Sequence, residues 1–359
     1  MKTHIVYFDI LRVLSIFAVV VLHVAGDLFF NNHPNSFSWE MANMYNGLTR
    51  WSVPVFVMIS GALFLNPERK VSLPQIYSKN IFHLAFILVL WSLFYTVLNF
   101  ALNPSGRNPL NLIEGLVLGE FHLWFLYMLL GLYILVPLLR PICEKDILMR
   151  YFLILSFVFS FLPSFIFMVE IGLNLAFPHP IFSESFKILK TLLEKKINFH
   201  FALGYTSYFV LGYYVYKNTL SPITRKILYV LGLAGCIAPI LFGQFISQKA
   251  IFIFDFYTES NTSLPILFTS LAIFVFAKQH WHSATPKLTK FFHYISKRVL
   301  GIYLIHVAIL NSFSHFFDPF HTHITPLISI PLVALIIFII SLLLTDILRR
   351  ITFINKYIF

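Results

Sequence analysis

The sequence predicts an all-α, polytopic integral membrane protein with about ten transmembrane helices and both termini cytoplasmic. Three observations carry that expectation. Of 359 residues, 58% are hydrophobic and only 11% charged, and the mean hydropathy is +0.80, well beyond a soluble globular domain. Apolar stretches approaching the roughly 20 residues needed to cross a bilayer recur along the whole chain. Of the 26 Lys and Arg, 18 fall in alternate connections that include both termini and 6 in the others; cytoplasmic segments accumulate such residues, so both termini are placed inside. The net charge of +11 does not suggest a nucleic-acid partner, because the basic residues sit in short tracts between apolar runs and not on one solvated face. A water-soluble enzyme is excluded by the same composition.

The first span is expected at 5–26. Its residues 13–22 are apolar and Val24, Ala25 and Gly26 resemble a peptidase site, but Asp9 and Arg12 interrupt what a signal peptide keeps uncharged. The second, 50–65, is short, opens on Arg50 and contains Pro54 and Gly61. The third (81–100) is almost unbroken over 81–90, which rules out the alternation of a barrel strand. The fourth (122–139) opens on His122 and Trp124, and the fifth (151–170) precedes the longest outer connection, 171–199. Within it, Phe186, Leu189, Leu192 and Leu193 recur at helical spacing opposite Lys and Glu, as in an amphipathic helix over 183–196 on the membrane surface or in simple loop packing. Spans at 200–216, 227–246, 263–277, 299–316 and 325–347 complete one integral domain over 1–359, the eighth again short. Cys143 falls in a connection and Cys236 in a span, too few and too far apart for a disulfide framework.

Ionisable side chains within spans are costly, about 2.5–3.5 kcal/mol for Arg at a helix centre, so each one proposes either a function or a buried partner. Arg12 and His23 are separated by about 1100° of helix, roughly 20° from three full turns, and by ~16 Å along the axis. They share one face, Arg12 toward the inner half and His23 toward the outer. Asp27 is one turn beyond His23, where a carboxylate can hold the imidazole in one tautomer, and imidazole takes and returns a proton near neutrality. The alternative is an interfacial histidine with no chemistry. Arg12 either contacts a substrate or pairs with Asp9, three residues before it. Arg50 either contacts substrate or snorkels to headgroups. Tyr303 and His306 lie on neighbouring positions of one face near mid-membrane, whereas Trp124 is explained by an aromatic belt. No zinc spacing of the H-E-x-x-H kind and no phosphate loop is present, so no metal is expected.

Arg12-x10-His23 preceded by Asp9, then Trp39, Asn43, Asn46 and Arg50, then Pro54, Phe56 and 59–61, then 122–125, and finally Gly301, Ile302, Tyr303 and His306 together resemble the membrane acyltransferase-3 family. In order and spacing the chain is most similar to the short, single-module branch that includes the enterobacterial common antigen O-acetyltransferase. The resemblance covers essentially the whole chain. It implies an acyl-CoA-dependent O-acyltransferase, multi-pass in a bacterial-type inner membrane among its lipids, moving an acyl group, acetyl first, from cytoplasmic acyl-CoA to a hydroxyl of an extracytoplasmic or lipid-linked glycan. His23 would activate the acceptor or accept the acyl group, and Arg12 would stabilise the donor. Substrate contacts are expected at Asp9, Asn43, Asn46, Arg50, His122, Trp124, Tyr303 and His306. Asp27 departs from the family pattern, and its place beside His23 rests on spacing alone. Inner basic residues, Lys287, Lys290, Lys297 and Arg298 or Arg69 and Lys70, offer charge for the phosphates of CoA. The competing class is a multi-span transporter or exporter, which would also place charge along a pathway but commonly shows internal repeats.

Overall fold

The computed structural model describes residues 5–68, 72–102, 109–176, 204–250, 263–282 and 285–358, with 188 and 192 as isolated positions. The regular elements among them are all helical. The first is α1 (Val6–Asn31), followed by α2 (Phe37–Thr49) and α3 (Ser52–Phe64). Next come α4 (Ile76–Leu102), which starts in a π-helical turn, and α5 (Pro109–Leu118). Gly119, at φ 70°, and a 3-10 turn (Phe121–Leu123) lead into α6 (Trp124–Glu144). The helices α7 (Asp146–Ser156) and α8 (Leu162–Ala176) join through a π-helical turn. The remainder are α9 (Tyr205–Lys217), α10 (Pro222–Ala250), α11 (Leu264–His280), α12 (Pro286–Ser296), α13 (Val299–Ser312), α14 (Ser314–His323), α15 (Pro326–Arg350) and α16 (Thr352–Tyr357).

Seven of the described helices are long and apolar enough to cross a membrane. The pair α13–α14, bent by 75°, would make an eighth, while α11, with 17 residues, is shorter. The expected sixth span appears as the 13-residue α9, and residues 201–203 before it lie outside the described residues. The expected amphipathic segment 183–196 lies almost entirely outside them as well. Large side chains on the outer surface are apolar: Phe82, Val89, Leu138 and Val230 are each between 68% and 69% exposed. A belt of this kind is stable against lipid and not against water.

One expectation is corrected here. The segment 27–49 reads as an outer connection because Glu40, Asn43 and Asn46 lower its hydropathy, yet α2 is helical and, with α3, makes a 28-residue stretch, Phe37–Phe64, long and apolar enough to cross a membrane. Its polar groups have protein partners. Glu40 accepts from Gln244 (3.1 Å) and Gln248 (3.2 Å) of α10, Asn43 donates to the Ile240 carbonyl (2.9 Å), and Asn46 accepts from Arg50 (2.8 Å). A polar group paired inside the protein no longer opposes insertion in the way a hydropathy sum assumes. Ser36 caps α2 by accepting from the Trp39 N–H (3.2 Å), and Trp39 stacks on Phe29 of α1 at 5.3 Å between ring centroids. Cys143, expected in a connection, is instead buried in the last turn of α6, and both cysteines are free.

The helix α1 lies at the centre, packed against α2, α3, α12, α13 and α15. At its N-terminal end, Asp9 is buried and gathers partners from α1 and α12 among the described residues. Its carboxylate accepts from Ser296 (2.7 Å), from His293 (2.8 Å) and from Arg12 (3.3 Å), so it docks the end of α12 on α1. Tyr294 of the same helix donates to Asp346 of α15, and that hydrogen bond raises the Tyr294 phenol above its ordinary value. Arg298 also reaches Asp346.

The tightest crossings use residues without side chains. At α3–α9, Gly61 and Gly212 bring the backbones together, and at α10–α11 Gly232 lies against Ala272 and Gly235 against the Pro265 carbonyl. The α9 C-terminus is held by Lys278 of α11, whose ammonium donates to the carbonyls of Val215 (2.7 Å), Tyr216 (2.9 Å) and Asn218 (2.8 Å). These acceptors have no intrahelical donor, and the positive charge also suits the negative end of the helix. Lys278→Met is expected to cost about 2–3 kcal/mol by leaving charge-assisted bonds unmade. The check is a fall of several degrees in thermal unfolding of the detergent-solubilised protein.

Candidate functional site

The shared face of Arg12 and His23 opens on a cavity of about 340 Å³. Arg12, His23, Arg50, His122, Trp124 and Tyr303 all line it, together with Ser60, Ser296 and apolar side chains such as Phe56 and Phe125. A second cavity, of about 450 Å³, is also bordered by His23 and is lined by Asp27, Asn31, Asn311, Ser314 and His321 among others. Among the described lining residues only His23 belongs to both. Two volumes of the size that hold small-molecule substrates therefore meet at one imidazole.

Three histidines from three helical segments gather there. The ring centroids of His23 and His306 lie 5.2 Å apart, those of His122 and His306 5.4 Å, and those of His23 and His122 6.5 Å. His306 is 1% exposed. Its Nδ1 faces the carbonyls of Tyr303 (2.7 Å) and Ile302 (3.2 Å). A ring nitrogen facing carbonyl oxygens must carry the hydrogen, so the Nδ1–H tautomer is fixed and the lone pair is at Nε2. Among the described residues that Nε2, and both ring nitrogens of buried His122, have no hydrogen-bond partner. Tyr95 anchors the surrounding backbone of α13 by donating to the Leu304 carbonyl (2.7 Å) and accepting from the Ala308 N–H (3.0 Å). Metal ligation is not indicated by spacing: no group of three or more His, Cys, Asp or Glu among the described residues is arranged to hold an ion.

The expected site residues divide by position. Asp27 is exposed, and its carboxylate accepts from Asn31 (2.7 Å), so the expected bond to the His23 ring is not formed. The side chain four residues toward the helix end competes for the carboxylate, and spacing from His23 alone does not reveal that. Asp27→Asn is therefore expected to leave kcat within about twofold, any larger effect falling on acceptor KM; a kcat loss comparable to that of His23→Ala would restore Asp27 as the orienter. Asp9, Asn43 and Asn46 line neither cavity: Asp9 holds Arg12 and α12, Asn43 holds α10, and Asn46 holds Arg50. Arg50, read as the start of the second span and as either a substrate contact or a snorkelling residue, lies between α2 and α3 within Phe37–Phe64 and lines the cavity. The Tyr303 hydroxyl donates to the His122 carbonyl (2.5 Å) and so positions the turn before α6. Trp124 leans on Tyr205 of α9 at 5.6 Å.

Ser60 and Ser296 also line the first cavity, and His321, bonded to Ser329 (2.8 Å), lines the second. None of these stood out as a site residue from spacing, because a serine in a helix and a histidine near a helix end are common and uninformative by themselves.

Residues 5–349 match a family model described as an acyltransferase domain. No curated protein and no solved structure matches the chain.

Proposed function

The chain belongs to the acyltransferase-3 family of membrane acyltransferases, and on that premise we propose that it moves an acyl group, acetyl in the first instance, from cytoplasmic acyl-CoA to a hydroxyl of an extracytoplasmic or lipid-linked glycan. It would do so as a multi-pass protein of a bacterial-type inner membrane, with about ten spans and both termini cytoplasmic, in the manner of the single-module branch. Family membership weighs against a carrier without covalent chemistry. The observation that supports the reading most directly is that, among the described residues, His23 alone borders both cavities, because a transfer between two substrates needs one group in reach of each.

In this reading the thioester end of the donor occupies the cavity of Arg12 and Arg50, and the acceptor hydroxyl enters from the cavity of Asp27 and Asn311. His23 removes the hydroxyl proton as the oxygen attacks the thioester carbonyl carbon. Negative charge then develops on the carbonyl oxygen, in an apolar enclosure where a guanidinium is worth far more than in water. The C–S bond breaks, and the departing CoA thiolate recovers the proton from His23. Charge distribution supports this assignment of sides: two guanidiniums border the first cavity, a carboxylate and two amides the second. Basic groups along α12 and just after it, Lys287, Lys290, Lys297 and Arg298, are suited to the CoA phosphates.

The test is release of free CoA from acetyl-CoA by purified protein in nanodiscs, with and without cell-surface glycan, followed by mass spectrometry of the glycan. Acceptor-dependent CoA release with a matching mass increment is expected. Intact acetyl-CoA in the presence of every acceptor fraction would discard the donor assignment.

A further inference from the structure

A catalytic imidazole that must expose a lone pair to its substrate needs its other nitrogen held. The expected holder, Asp27, bonds Asn31 instead, and among the described residues the His23 ring has no hydrogen-bond partner. Two groups in the cluster could serve. His122 is the more distant, at 6.5 Å between centroids, and with neither nitrogen bonded its tautomer is not set. His306 is nearer, at 5.2 Å, with the ring planes at 36°. Its Nδ1–H is committed to the Tyr303 carbonyl, so the buried, unpartnered Nε2 is an acceptor by necessity. The rings are not hydrogen-bonded as they stand. Two imidazoles sharing an edge-on N–H···N bond of ordinary length also have centroids about 5 Å apart, so the observed separation matches that of a bonded pair, and the contact asks for reorientation of the rings and not for approach of the helices.

We propose that His306 is the positioning residue for His23, its Nε2 accepting the N–H of the His23 ring so that the opposite nitrogen presents its lone pair to the acceptor hydroxyl. This rests on the acyl-transfer reading above. When the hydroxyl proton arrives on His23, both its nitrogens carry hydrogen, and the N–H···Nε2 bond to neutral His306 becomes charge-assisted and stronger. The imidazolium is thereby stabilised only after proton transfer, as a group that favours the transition state must act. His23 then gives the proton to the thiolate, and His306 ends as it began. A neutral imidazole does this without the buried anion that a carboxylate would introduce at His306, which is 1% exposed.

The test uses full-length protein, labelled with ¹⁵N-histidine, in lipid nanodiscs. The His23 ring resonances, assigned by their loss in His23→Ala, are expected to shift on His306→Leu, and His306 itself is expected to report the Nδ1–H tautomer. His23 resonances unchanged by His306→Leu would overturn the pairing, and this measurement needs no turnover. In transfer assays, His306→Leu is expected to lower kcat about 100-fold with the donor KM unaltered. His306→Gln is expected to recover part of that loss, since its amide can donate to the Tyr303 carbonyl and accept from His23. Added to His23→Ala, His306→Leu should cost nothing further, because residues that act as a unit are not additive. A further loss of the full 100-fold in that background would assign His306 a role independent of His23 and overturn the inference. Absence of acyl transfer in the wild type, with the His23 shift present, would sink the proposed function and leave the pairing standing.

Discussion

His23→Ala is expected to reduce acyl transfer by about 10³-fold, within the range of 10²–10⁴ that a positioned general base contributes, while leaving the KM for acyl-CoA within about twofold. The split follows from where the side chain lies. Arg12 and Arg50 face the first cavity and in the proposed mechanism bind the donor with or without the imidazole, whereas proton removal from the acceptor depends on the imidazole alone. The effect on folding is expected to be small, because His23 borders two open volumes and its loss enlarges space already present, unlike truncation in a packed core. Labelled acetyl transferred to glycan by membranes containing matched amounts of variant and wild type is the measurement. Activity near wild type would remove His23 from the chemistry, and a KM that rose with kcat unchanged would recast it as a binding group.

Gly61→Ala is the second, and its expected effect is on the fold. A Cβ at position 61 would lie 1.8 Å from the Phe209 carbonyl oxygen and 2.5 Å from its carbonyl carbon. The contact is with main chain, which cannot rotate away, so α3 and α9 would have to separate by more than 1 Å. The same crossing is tight from the other helix, where a Cβ at Gly212 would meet the Met58 carbonyl oxygen at 2.1 Å. Separation would strip dispersion contacts from Val57, Met58, Tyr208 and Phe209, all buried there. Overpacking costs 1–3 kcal/mol when side chains can give way; with backbone on both sides we expect at least about 3 kcal/mol and little monodisperse protein on size exclusion. Gly131→Ala is the control. It has nothing within 4 Å of the added methyl, so higher helix propensity predicts no loss and a slight gain. Equal behaviour of the two variants would show that the α3–α9 approach is looser than described.

How much was legible in the sequence differs by element. The start of helix α1 was placed to within a residue, though it runs on to Asn31 and not to 26, and the alignment of Arg12 with His23 followed from helical periodicity, because both depend on local geometry. Val299–Ser312 and Pro326–Arg350 were equally legible from their apolar runs. The helix α2 was not: its Glu40, Asn43 and Asn46 look like loop residues until Gln244, Gln248 and the Ile240 carbonyl, about 200 positions away, are brought beside it. The same limit applied to the site. His122, Arg50 and His306 were each visible as polar residues near or within apolar runs, but their convergence on His23 was not, and neither was the bond from Asn31 to Asp27, because spacing names a neighbour without naming its competitors.

The sequence by itself determined a helical membrane protein of the acyltransferase-3 family with an arginine and a histidine on one face of its first helix, since composition, hydropathy and helical period act over one or a few turns. Tertiary structure alone decided which polar groups are partnered within the fold and which face a cavity. It also decided that Asp9 ties α12 to α1, that Arg50 turns inward, and that His23 stands between two cavities beside a histidine of fixed tautomer. The physical reason is that a buried polar group is defined by what satisfies it, and here those partners come from other helices whose approach is set by glycine crossings, buried hydrogen bonds and packing, none of which acts locally along the chain.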